Sequence, residues 1–262
     1  MVRKLSSIND FIQSRADDFS EHLTNSLPLK VLELVNRLQA ETQVYLFSGL
    51  IRDYFLKKHL GLRDIDFVLN DDLNIQELFP SLNVKKNSFN GYKARIGSMS
   101  VDLWGLRNTW ALNNGQLKFS FRKELESLPS TAFFNFSSIV FLLNERRFLI
   151  GKPFLTFMRD KEIDIVMEEN PYPGLCIINS FYYSEKYNLR LSLNLKRYIL
   201  AHYRCCNSDF SSIQKRHFNK ILYSRRILME KVEALDREKI HENLGKRIKN
   251  SSKVDSPGPL FS

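Results

Sequence analysis

One stretch of the sequence constrains the fold more than any other, because it places two apolar runs on either side of a tight turn and a helix. The run at 44–47, Val-Tyr-Leu-Phe, indicates a buried strand that leads into the turn-forming pair Ser48-Gly49. Residues 50–60 follow the pattern of a helix that a glycine ends. The alternating run at 64–69 predicts a second strand. This order of elements predicts a domain that mixes α and β structure.

Two carboxylates stand two residues apart on the second of these strands. Because side chains alternate along a strand, Asp64 and Asp66 project from one face, while Ile65 and Phe67 turn to the core. Like charges this close repel each other and raise each other's pKa, and a divalent cation removes that cost. An Asp-x-Asp pair is also compatible with a surface turn, so the pair alone does not decide between a metal site and a solvated loop.

A third carboxylate lies on a later strand-like stretch at 99–104. There Val101 and Leu103 are apolar, and Asp102 alternates to the opposite face together with Ser100. If this strand neighbours the one that carries Asp-x-Asp, three carboxylates converge. Such a trio can hold two Mg²⁺ ions, or Mn²⁺ in their place, for the in-line transfer of a phosphoryl or nucleotidyl group.

The turn before the helix has the features of a phosphate-binding turn. Small residues such as Ser48-Gly49 at a helix start leave backbone N–H groups free to surround a phosphate. Arg52 on the first helical turn could add a cation, and Asp53 could cap the helix or orient the arginine. For Ser48-Gly49 alone, a plain helix entry remains an alternative.

The rest of the chain predicts further strands and then helices, and hence an α+β fold class. A hairpin signal, Asn90-Gly91, separates two of the strands. The further predicted strands are 84–89, 92–96, 99–104, 137–143 and 147–150, and the predicted helices are 29–40, 75–79, 174–187, 192–205 and 211–249, the last of them interrupted. The predicted organisation is an N-terminal helical extension at 1–24, a head domain at 25–152, a helical neck and basic C-terminal helices at 153–250, and a disordered tail at 251–262.

Taken together, the segments VYLFSGLIRDYFL and LRDIDFVL resemble the head-domain signature of the class II tRNA nucleotidyltransferases and bacterial poly(A) polymerases, which belong to the DNA polymerase β-like nucleotidyltransferase superfamily. The family pattern is an apolar strand, Gly-Gly-x-Val-Arg-Asp, a helix and Asp-Ile-Asp, and Ser48 replaces its first glycine. The segment from Val101 to Arg107 resembles the later strand, which carries a third acidic residue and an arginine five positions on. With segments similar to the family's Phe-Thr-Ile-Asn-Ala-Ile-Ala stretch and neck helix, the resemblance covers roughly 44–200.

The resemblance implies a nucleotidyltransferase head, with a mixed sheet and helices, followed by an all-α neck and C-terminal region. It implies an enzyme that moves NMP from an NTP to an acceptor hydroxyl and releases pyrophosphate, with a tRNA or another RNA 3′ end as the favoured acceptor. The residues that it assigns are the metal-binding and catalytic Asp64, Asp66 and Asp102, and the nucleotide-binding Ser48, Gly49, Arg52, Asp53 and Arg107.

Two parts of the family pattern are replaced. The Arg-Asp pair associated with ribose and nucleotide contacts is Ala132-Phe133 here, and the neck arginines associated with choosing CTP or ATP are Cys176, Asn179 and Tyr182. The metal-binding pattern is thus kept, while the nucleobase-reading pattern is not. Two alternatives stay open: a nucleotidyltransferase that acts on a protein or small-molecule acceptor, as in toxin or phage-defence systems, and an inactive RNA-binding scaffold.

The excess positive charge lies in one part of the chain. The net charge is +10, yet residues 1–185 hold 22 basic and 22 acidic residues, while residues 186–250 hold 16 basic and 6 acidic residues. Such asymmetry predicts a neutral core domain followed by a part that meets a polyanion, and a well-solvated helical surface is the alternative. The basic residues expected to bind RNA are Lys196, Arg197, Arg204, Lys215, Arg216, Lys220, Arg225 and Arg226.

Composition excludes several other classes of protein. The 262 residues are 43% hydrophobic, which is enough for a core, and no run approaches the ~18 apolar residues of a membrane span. The N-terminus lacks the apolar segment of a secretory signal, and three cysteines are too few for a disulfide scaffold. We therefore expect a cytoplasmic protein with reduced thiols that binds NTP and RNA and no membrane, and the sequence leaves open whether a protein partner completes the site.

Overall fold

The computed structural model describes residues 4–47, 49–58, 64–87, 90–115, 124–205 and 209–237. The chain divides into two compact units, Met1–Asn170 and Pro171–Ser262. None of the helices within the described ranges combines the length and the hydrophobicity that crossing a membrane requires.

The first unit is organised around one mixed β-sheet. The strands among the described residues are β1 (Val44–Leu46), β2 (Asp64–Leu69), β3 (Val84–Lys86), β4 (Tyr92–Ile96), β5 (Met99–Gly105), β6 (Ile139–Leu142) and β7 (Arg147–Ile150). They join in the order β3-β4-β5-β2-β1-β6-β7, in which β2 and β5 run parallel and the other neighbours run antiparallel. The strands predicted from alternation and from the hairpin signals are found, some of them with shorter bounds. Residues 88–89 of the strand predicted at 84–89 lie outside the described residues, and residue 137 of the strand predicted at 137–143 belongs to a 3₁₀ turn.

Helices surround this sheet in the first unit. They are α1 (Leu5–Gln13), α2 (Ala16–Ser26), α3 (Leu29–Glu41), α4 (Gly49–Phe55), α5 (Ile75–Leu78), α6 (Trp110–Asn113), α7 (Glu124–Ser127) and α8 (Lys152–Asp160), with 3₁₀ turns at Leu106–Asn108, Leu128–Thr131 and Asn135–Ser137 and a short strand β8 (Glu162–Ile163). The helix predicted at 29–40 is confirmed as α3, whose apolar stripe is buried.

The two faces of the sheet are covered differently. On one face, Phe19 of α2 packs against Phe141 of β6 and Phe148 of β7, with ring centroids 4.9 and 5.2 Å apart. On the other face, Tyr45 and Val68 belong to an apolar cluster that the two 3₁₀ turns Leu106–Asn108 and Leu128–Thr131 help to close. This second face also carries the carboxylates, because Val68 and Asp66 are two residues apart on β2.

The first unit extends further along the chain than the predicted head domain at 25–152. Helix α8 packs against α1 and against the 3₁₀ turn Asn135–Ser137. Its side chains Phe154 and Phe157 are fully buried. The N-terminal helices α1 and α2 likewise contact β7. Aromatic burial therefore fixes helices on both sides of the predicted head to the same unit, and the observed division falls after Asn170.

The second unit is helical within its described residues. It contains α9 (Pro173–Tyr187), a short strand β9 (Arg190–Leu191), α10 (Leu193–Cys205), α11 (Phe210–Phe218) and a further helix, α12, at 225–237. The interruption expected in 211–249 occurs where Asn219 takes a left-handed conformation with φ of 56° and ends α11. The tail predicted at 251–262 lies outside the described residues.

Replacing Phe19 by alanine should destabilise the first unit by about 3–5 kcal/mol, because the ring is fully buried among other aromatic rings. The matched control is Phe11→Ala, since Phe11 on α1 is 45% exposed and should cost less than about 1 kcal/mol. Both tryptophans, Trp104 and Trp110, lie in this unit, so tryptophan fluorescence during urea unfolding reports on it. Equal losses of stability for the two variants would contradict this packing.

Candidate active site

Three carboxylates share one face of the sheet at the parallel pair β2 and β5. In this pair Asp66 lies directly opposite Asp102, and Asp64 lies opposite Ser100. Neighbouring strands are about 4.8 Å apart, so the carboxylates of Asp66 and Asp102 are held side by side. On the opposite face, Ile65 and Val101 are fully buried. The expectation that the Asp102 strand neighbours the Asp-x-Asp strand is confirmed.

A lysine joins this row from the next strand. Lys93 on β4 lies opposite Asp102 on β5, and its Nζ is 3.0 Å from Asp102 Oδ2. The Lys93 side chain is 58% exposed, whereas that of Asp102 is 21% exposed. One cation therefore balances part of the charge of three carboxylates, and it does so from the solvent side of the site.

The excess of negative charge in the site acts on the ionisation of Asp66. Burial, followed by the neighbouring Asp102 and Asp64 carboxylates, raises the pKa of Asp66 to about 7, and Lys93 partly opposes this rise. A carboxyl with a pKa this high is only about half ionised at neutral pH, and a nearby positive charge would shift it to the ionised form. The site is thus built so that a bound cation would stabilise the ionised form of Asp66.

The donor set fits a hard divalent cation, since Mg²⁺ in proteins prefers one or two carboxylates together with phosphate oxygens. Asp64 and Asp66 supply two such carboxylates from one strand face. Across the described ranges, no group of three or more His, Cys, Asp or Glu side chains is placed so that it could hold a metal ion. Asp102 is paired with Lys93, so it would join Asp64 and Asp66 at a cation only when that ion pair opens.

The predicted phosphate-binding turn is described only from Gly49 onward, since Ser48 lies outside the described residues. The guanidinium of Arg52 packs against Gly49, and a Cβ at position 49 would lie 2.7 Å from Arg52 Nη2. Arg52 is 6% exposed and donates from Nε to Asp53 Oδ1 at 2.8 Å. Its guanidinium carbon lies 5.0 Å from the centroid of the Phe136 ring. Arg52 and Asp53 thus form a buried pair behind the turn, and their role in binding nucleotide stays a prediction.

Two further polar residues belong to β5 or follow it directly. Arg107 follows β5 in the 3₁₀ turn Leu106–Asn108, and its Nε lies 3.2 Å from Glu124 Oε2. Its predicted contact with nucleotide stays a prediction. The hydroxyl oxygen of Ser100 is buried opposite Asp64 and accepts or donates no hydrogen bond within the described part of the chain. The sequence signals Ser100 only by its alternation with Asp102.

The basic residues expected to bind RNA lie on the helices of the second unit. Arg204 lies 2.8 Å from Asp236, and Arg226 lies 3.6 Å from Glu230, so acidic partners balance part of this charge. Lys196 is half-buried. The exposed members of the set are Arg197, Arg204, Lys215, Arg216, Lys220, Arg225 and Arg226. Of the interleaved aromatic residues, Tyr198 and Tyr223 are buried in the unit.

The residues at the positions that the sequence resemblance aligns with nucleobase-reading residues are mostly internal. Cys176 on α9 is 5% exposed, and burial raises the pKa of its thiol to about 12. Ala132 is also buried. The Asn179 side-chain oxygen is buried without a hydrogen-bond partner among the described residues. Within each unit, these positions therefore present no cation that could contact a nucleobase.

Comparison with known proteins gives likeness in structure alone. No protein family and no curated protein matches the sequence. A CCA-adding enzyme in complex with ATP matches with a TM-score of 0.59 at 13% identity, over 82% of this chain and 53% of that chain. A CCA-adding enzyme in complex with CTP matches with a TM-score of 0.52 at 13% identity, over 82% of this chain and 49% of that chain.

These matches establish the fold. An apo form of a CCA-adding enzyme matches with a TM-score of 0.50 at 14% identity, over 74% of this chain and 46% of that chain. The chain thus spans about half the length of the structures that it resembles. It shares the fold of these CCA-adding enzymes, which confirms the predicted α+β fold class and, at the level of fold, the resemblance.

The raised pKa of Asp66 predicts a pH-dependent stability for the protein without divalent cations. In the folded state the carboxyl keeps its proton up to about pH 7, whereas in the unfolded state it loses it near its ordinary pKa. The free energy of unfolding should therefore fall by a few kcal/mol between about pH 4 and about pH 7, and level off above. Urea unfolding in EDTA at several pH values measures this slope.

The variant Asp66→Asn should lack this part of the slope and should be more stable than the wild type above about pH 7. The exposed Asp10→Asn on α1 is the matched control and should keep the slope of the wild type. Identical pH profiles for the wild type and Asp66→Asn would show that the pKa of Asp66 is not raised in the folded protein.

Proposed function

We propose that the protein is a metal-dependent nucleotidyltransferase, which moves NMP from an NTP to an acceptor hydroxyl and releases pyrophosphate. The observation that carries this proposal is the direct pairing of Asp66 with Asp102 on the parallel strands β2 and β5 of a fold shared with CCA-adding enzymes. Asp64 adds a second carboxylate on the same strand face as Asp66. This arrangement suits phosphoryl chemistry, in which positioning and charge do most of the work.

Asp64 and Asp66 are the residues that would hold Mg²⁺, or Mn²⁺, with Asp102 completing the set. When bound, such a cation supplies positive charge beside the phosphates of the nucleotide. The protein itself supplies the rigid placement of these carboxylates, because buried side chains on the opposite face, such as Ile65 and Val101, fix both strands.

The proposed transfer moves one nucleotidyl group between two oxygens. A bond forms between the acceptor oxygen and the α-phosphorus of the NTP, the bond from that phosphorus to the bridging oxygen breaks, and the electron pair leaves with pyrophosphate. We assign to Asp102 the task of orienting the acceptor hydroxyl and taking its proton. Asp102 suits this task because it is the most peripheral of the three carboxylates along the strand order, next to β4.

An RNA 3′ end, most plainly that of a tRNA, is the acceptor that we propose. The support is the exposed basic residues on the helices of the second unit, among them Lys215, Arg216 and Lys220 on or just after α11. Basic side chains on a helical surface neutralise backbone phosphates whatever the base sequence. The likeness to CCA-adding enzymes is consistent with an acceptor of this kind.

A protein or small-molecule acceptor is the second candidate, and one observation favours it. Positions at which the family has nucleobase-reading arginines hold Cys176, Asn179 and Tyr182 here, and Cys176 is a buried, protonated thiol. The choice of nucleotide would therefore rest on other residues than in a CCA-adding enzyme, and an acceptor other than tRNA is compatible with this change. An inactive RNA-binding scaffold is the remaining alternative, and it requires that the carboxylates no longer serve catalysis.

Nucleotide incorporation tests the proposal. The purified protein is incubated with each radiolabelled NTP in turn, Mg²⁺ or Mn²⁺, and total bacterial RNA, and the products are separated on a denaturing gel. A labelled band of tRNA size is expected. The variant Asp66→Asn should lower labelling on the order of 100-fold or more, because it removes a charged ligand for the cation, whereas Asp10→Asn should label RNA like the wild type.

Each other result of this experiment has a defined meaning. A labelled protein band in place of RNA would establish the second candidate. If no product forms with any nucleotide or acceptor, while the protein is folded and ATP binds equally well with and without divalent cations, then the scaffold alternative is correct.

The basic surface of the second unit predicts a strong salt dependence of RNA binding. The triple variant Lys215→Gln/Arg216→Gln/Lys220→Gln should reduce the slope of log affinity against log salt by about 2, at ~0.7 for each single-strand phosphate contact. The control Lys4→Gln/Lys30→Gln/Lys152→Gln removes the same charge from exposed positions of the first unit and should leave the slope unchanged. Equal slopes for the two triple variants would show that this surface does not contact RNA.

A further inference from the structure

A row of charged side chains crosses the sheet at the candidate site. Lys85 on β3 lies opposite Lys93 on β4. Lys93 lies opposite Asp102 on β5, which in turn lies opposite Asp66 on β2. Residues directly opposite each other on neighbouring strands share a face of the sheet. The row therefore begins with two cations near the edge of the sheet and ends with two carboxylates nearer its centre.

Arg95 widens the cationic end of this row. It lies two residues after Lys93 on β4 and opposite Ser100 on β5, so it shares the face of Lys93 and Asp102. Lys93 and Arg95 are exposed, whereas Ala94 between them is 1% exposed on the other face. Ala94 thus packs into the core on one face of β4, while the two cations lie exposed to solvent on the other face, beside the carboxylates. We call Lys85, Lys93 and Arg95 the cationic strip.

Protection of a sheet edge explains only part of the strip. Within the described sheet, β3 is an edge strand, and lysines on edge strands commonly prevent pairing with other chains. This reason covers Lys85 but not Lys93, because Lys93 lies between Lys85 on β3 and Asp102 on β5. Asp102 compensates the charge of Lys93, and Lys85 places a second like charge directly opposite that lysine, which a bound anion would stabilise.

The size of the strip indicates what kind of anion fits. From Asp66 the row passes over β5 and β4 to β3, which at about 4.8 Å for each strand places Lys85 about 14 Å away in the sheet. A triphosphate bound at the carboxylates contains only two P–O–P links, so it extends over only part of this distance. A polynucleotide that ends at Asp102 and runs outward over β4 and β3 would instead place successive backbone phosphates along the strip.

We propose that the cationic strip binds backbone phosphates of a polynucleotide acceptor and thereby brings its terminal hydroxyl to Asp102. This inference rests on the proposed nucleotidyl transfer and assigns its acceptor to the nucleic acids, with RNA as the chemical class tested. Lys93 exchanges its contact with Asp102 for a phosphate oxygen of the acceptor, which releases the Asp102 carboxylate to the hydroxyl. An exposed ion pair of this kind is weak enough to be exchanged for a ligand.

Direct binding measurements test the strip without relying on activity. A short single-stranded RNA with a 5′ fluorophore is titrated with the full-length protein at several salt concentrations, and fluorescence anisotropy gives the affinity. For the double variant Lys85→Gln/Lys93→Gln, the slope of log affinity against log salt should fall by about 1.4, at ~0.7 for each phosphate that is no longer neutralised. Affinity at low salt should fall by about 10-fold.

Three variants keep this result interpretable. Lys86→Gln/Lys30→Gln removes the same charge, with Lys86 next to Lys85 on β3 but on the opposite face, and it should bind RNA like the wild type. Lys93→Arg keeps the charge and should retain the slope of the wild type. Arg95→Gln added to the double variant should lower the slope further. Thermal unfolding monitored by circular dichroism confirms that each variant is folded.

Binding of ATP with Mg²⁺, measured by calorimetry on the same variants, separates the acceptor from the nucleotide. The proposal predicts that Lys85→Gln/Lys93→Gln binds ATP within about twofold of the wild type, a change of less than about 1 kcal/mol. If ATP affinity falls while RNA affinity does not, the strip serves the triphosphate and the inference is wrong. Unchanged binding of both ligands also overturns it, as does a wild-type protein that binds no RNA.

Failure of the proposed function would look different. In that case the strip variants would still lower RNA affinity, but the wild-type protein would incorporate no nucleotide into RNA. The anisotropy and incorporation measurements therefore report separately on the cationic strip and on nucleotidyl transfer.

Discussion

Burial of the Asp66 carboxyl beside Asp102 is the constraint on which the rest of the site depends. The parallel register of β2 and β5 holds the two carboxylates opposite each other, and burial with their repulsion raises the pKa of Asp66 to about 7. Apolar packing on the opposite face of β2 and β5 holds the two carboxylates in these positions. Side chains such as Ile65, Phe67 and Val101 are at most 1% exposed, and each contributes roughly 1.5–3 kcal/mol, so together they offset the few kcal/mol that burying the Asp66 carboxyl beside two other carboxylates costs.

The charges around the carboxylates suggest how the site changes when ligands bind. Lys93 is the cation that lies against Asp102, and an ion pair as exposed as this one contributes at most about 1 kcal/mol. A ligand that brings stronger charges can displace it at little cost. Arg52 behaves in the opposite way, because its guanidinium is buried against Gly49, Asp53 and Phe136 and supports the turn.

Much of this architecture follows from local patterns in the sequence. Alternation of apolar and polar residues predicts that Asp64, Asp66 and Asp102 share a strand face, and the structure pairs those strands. Contacts distant in sequence are not predictable in this way. The packing of Arg52 against Phe136 depends on tertiary folding. The attachment of α8 to the first unit depends on aromatic burial, and the ion pair of Lys93 depends on a register that a hairpin turn alone leaves open.

The measurement that tests the central claim most directly is a calorimetric titration of ATP into the wild-type protein, with Mg²⁺ and then with EDTA. If the carboxylates of β2 and β5 form a cation-dependent nucleotide site, ATP binds with Mg²⁺, and its affinity falls by at least about tenfold in EDTA, which corresponds to about 1.4 kcal/mol. The variant Asp66→Asn should abolish the difference. Equal affinity for ATP in Mg²⁺ and in EDTA, or a wild-type response in Asp66→Asn, would contradict the claim.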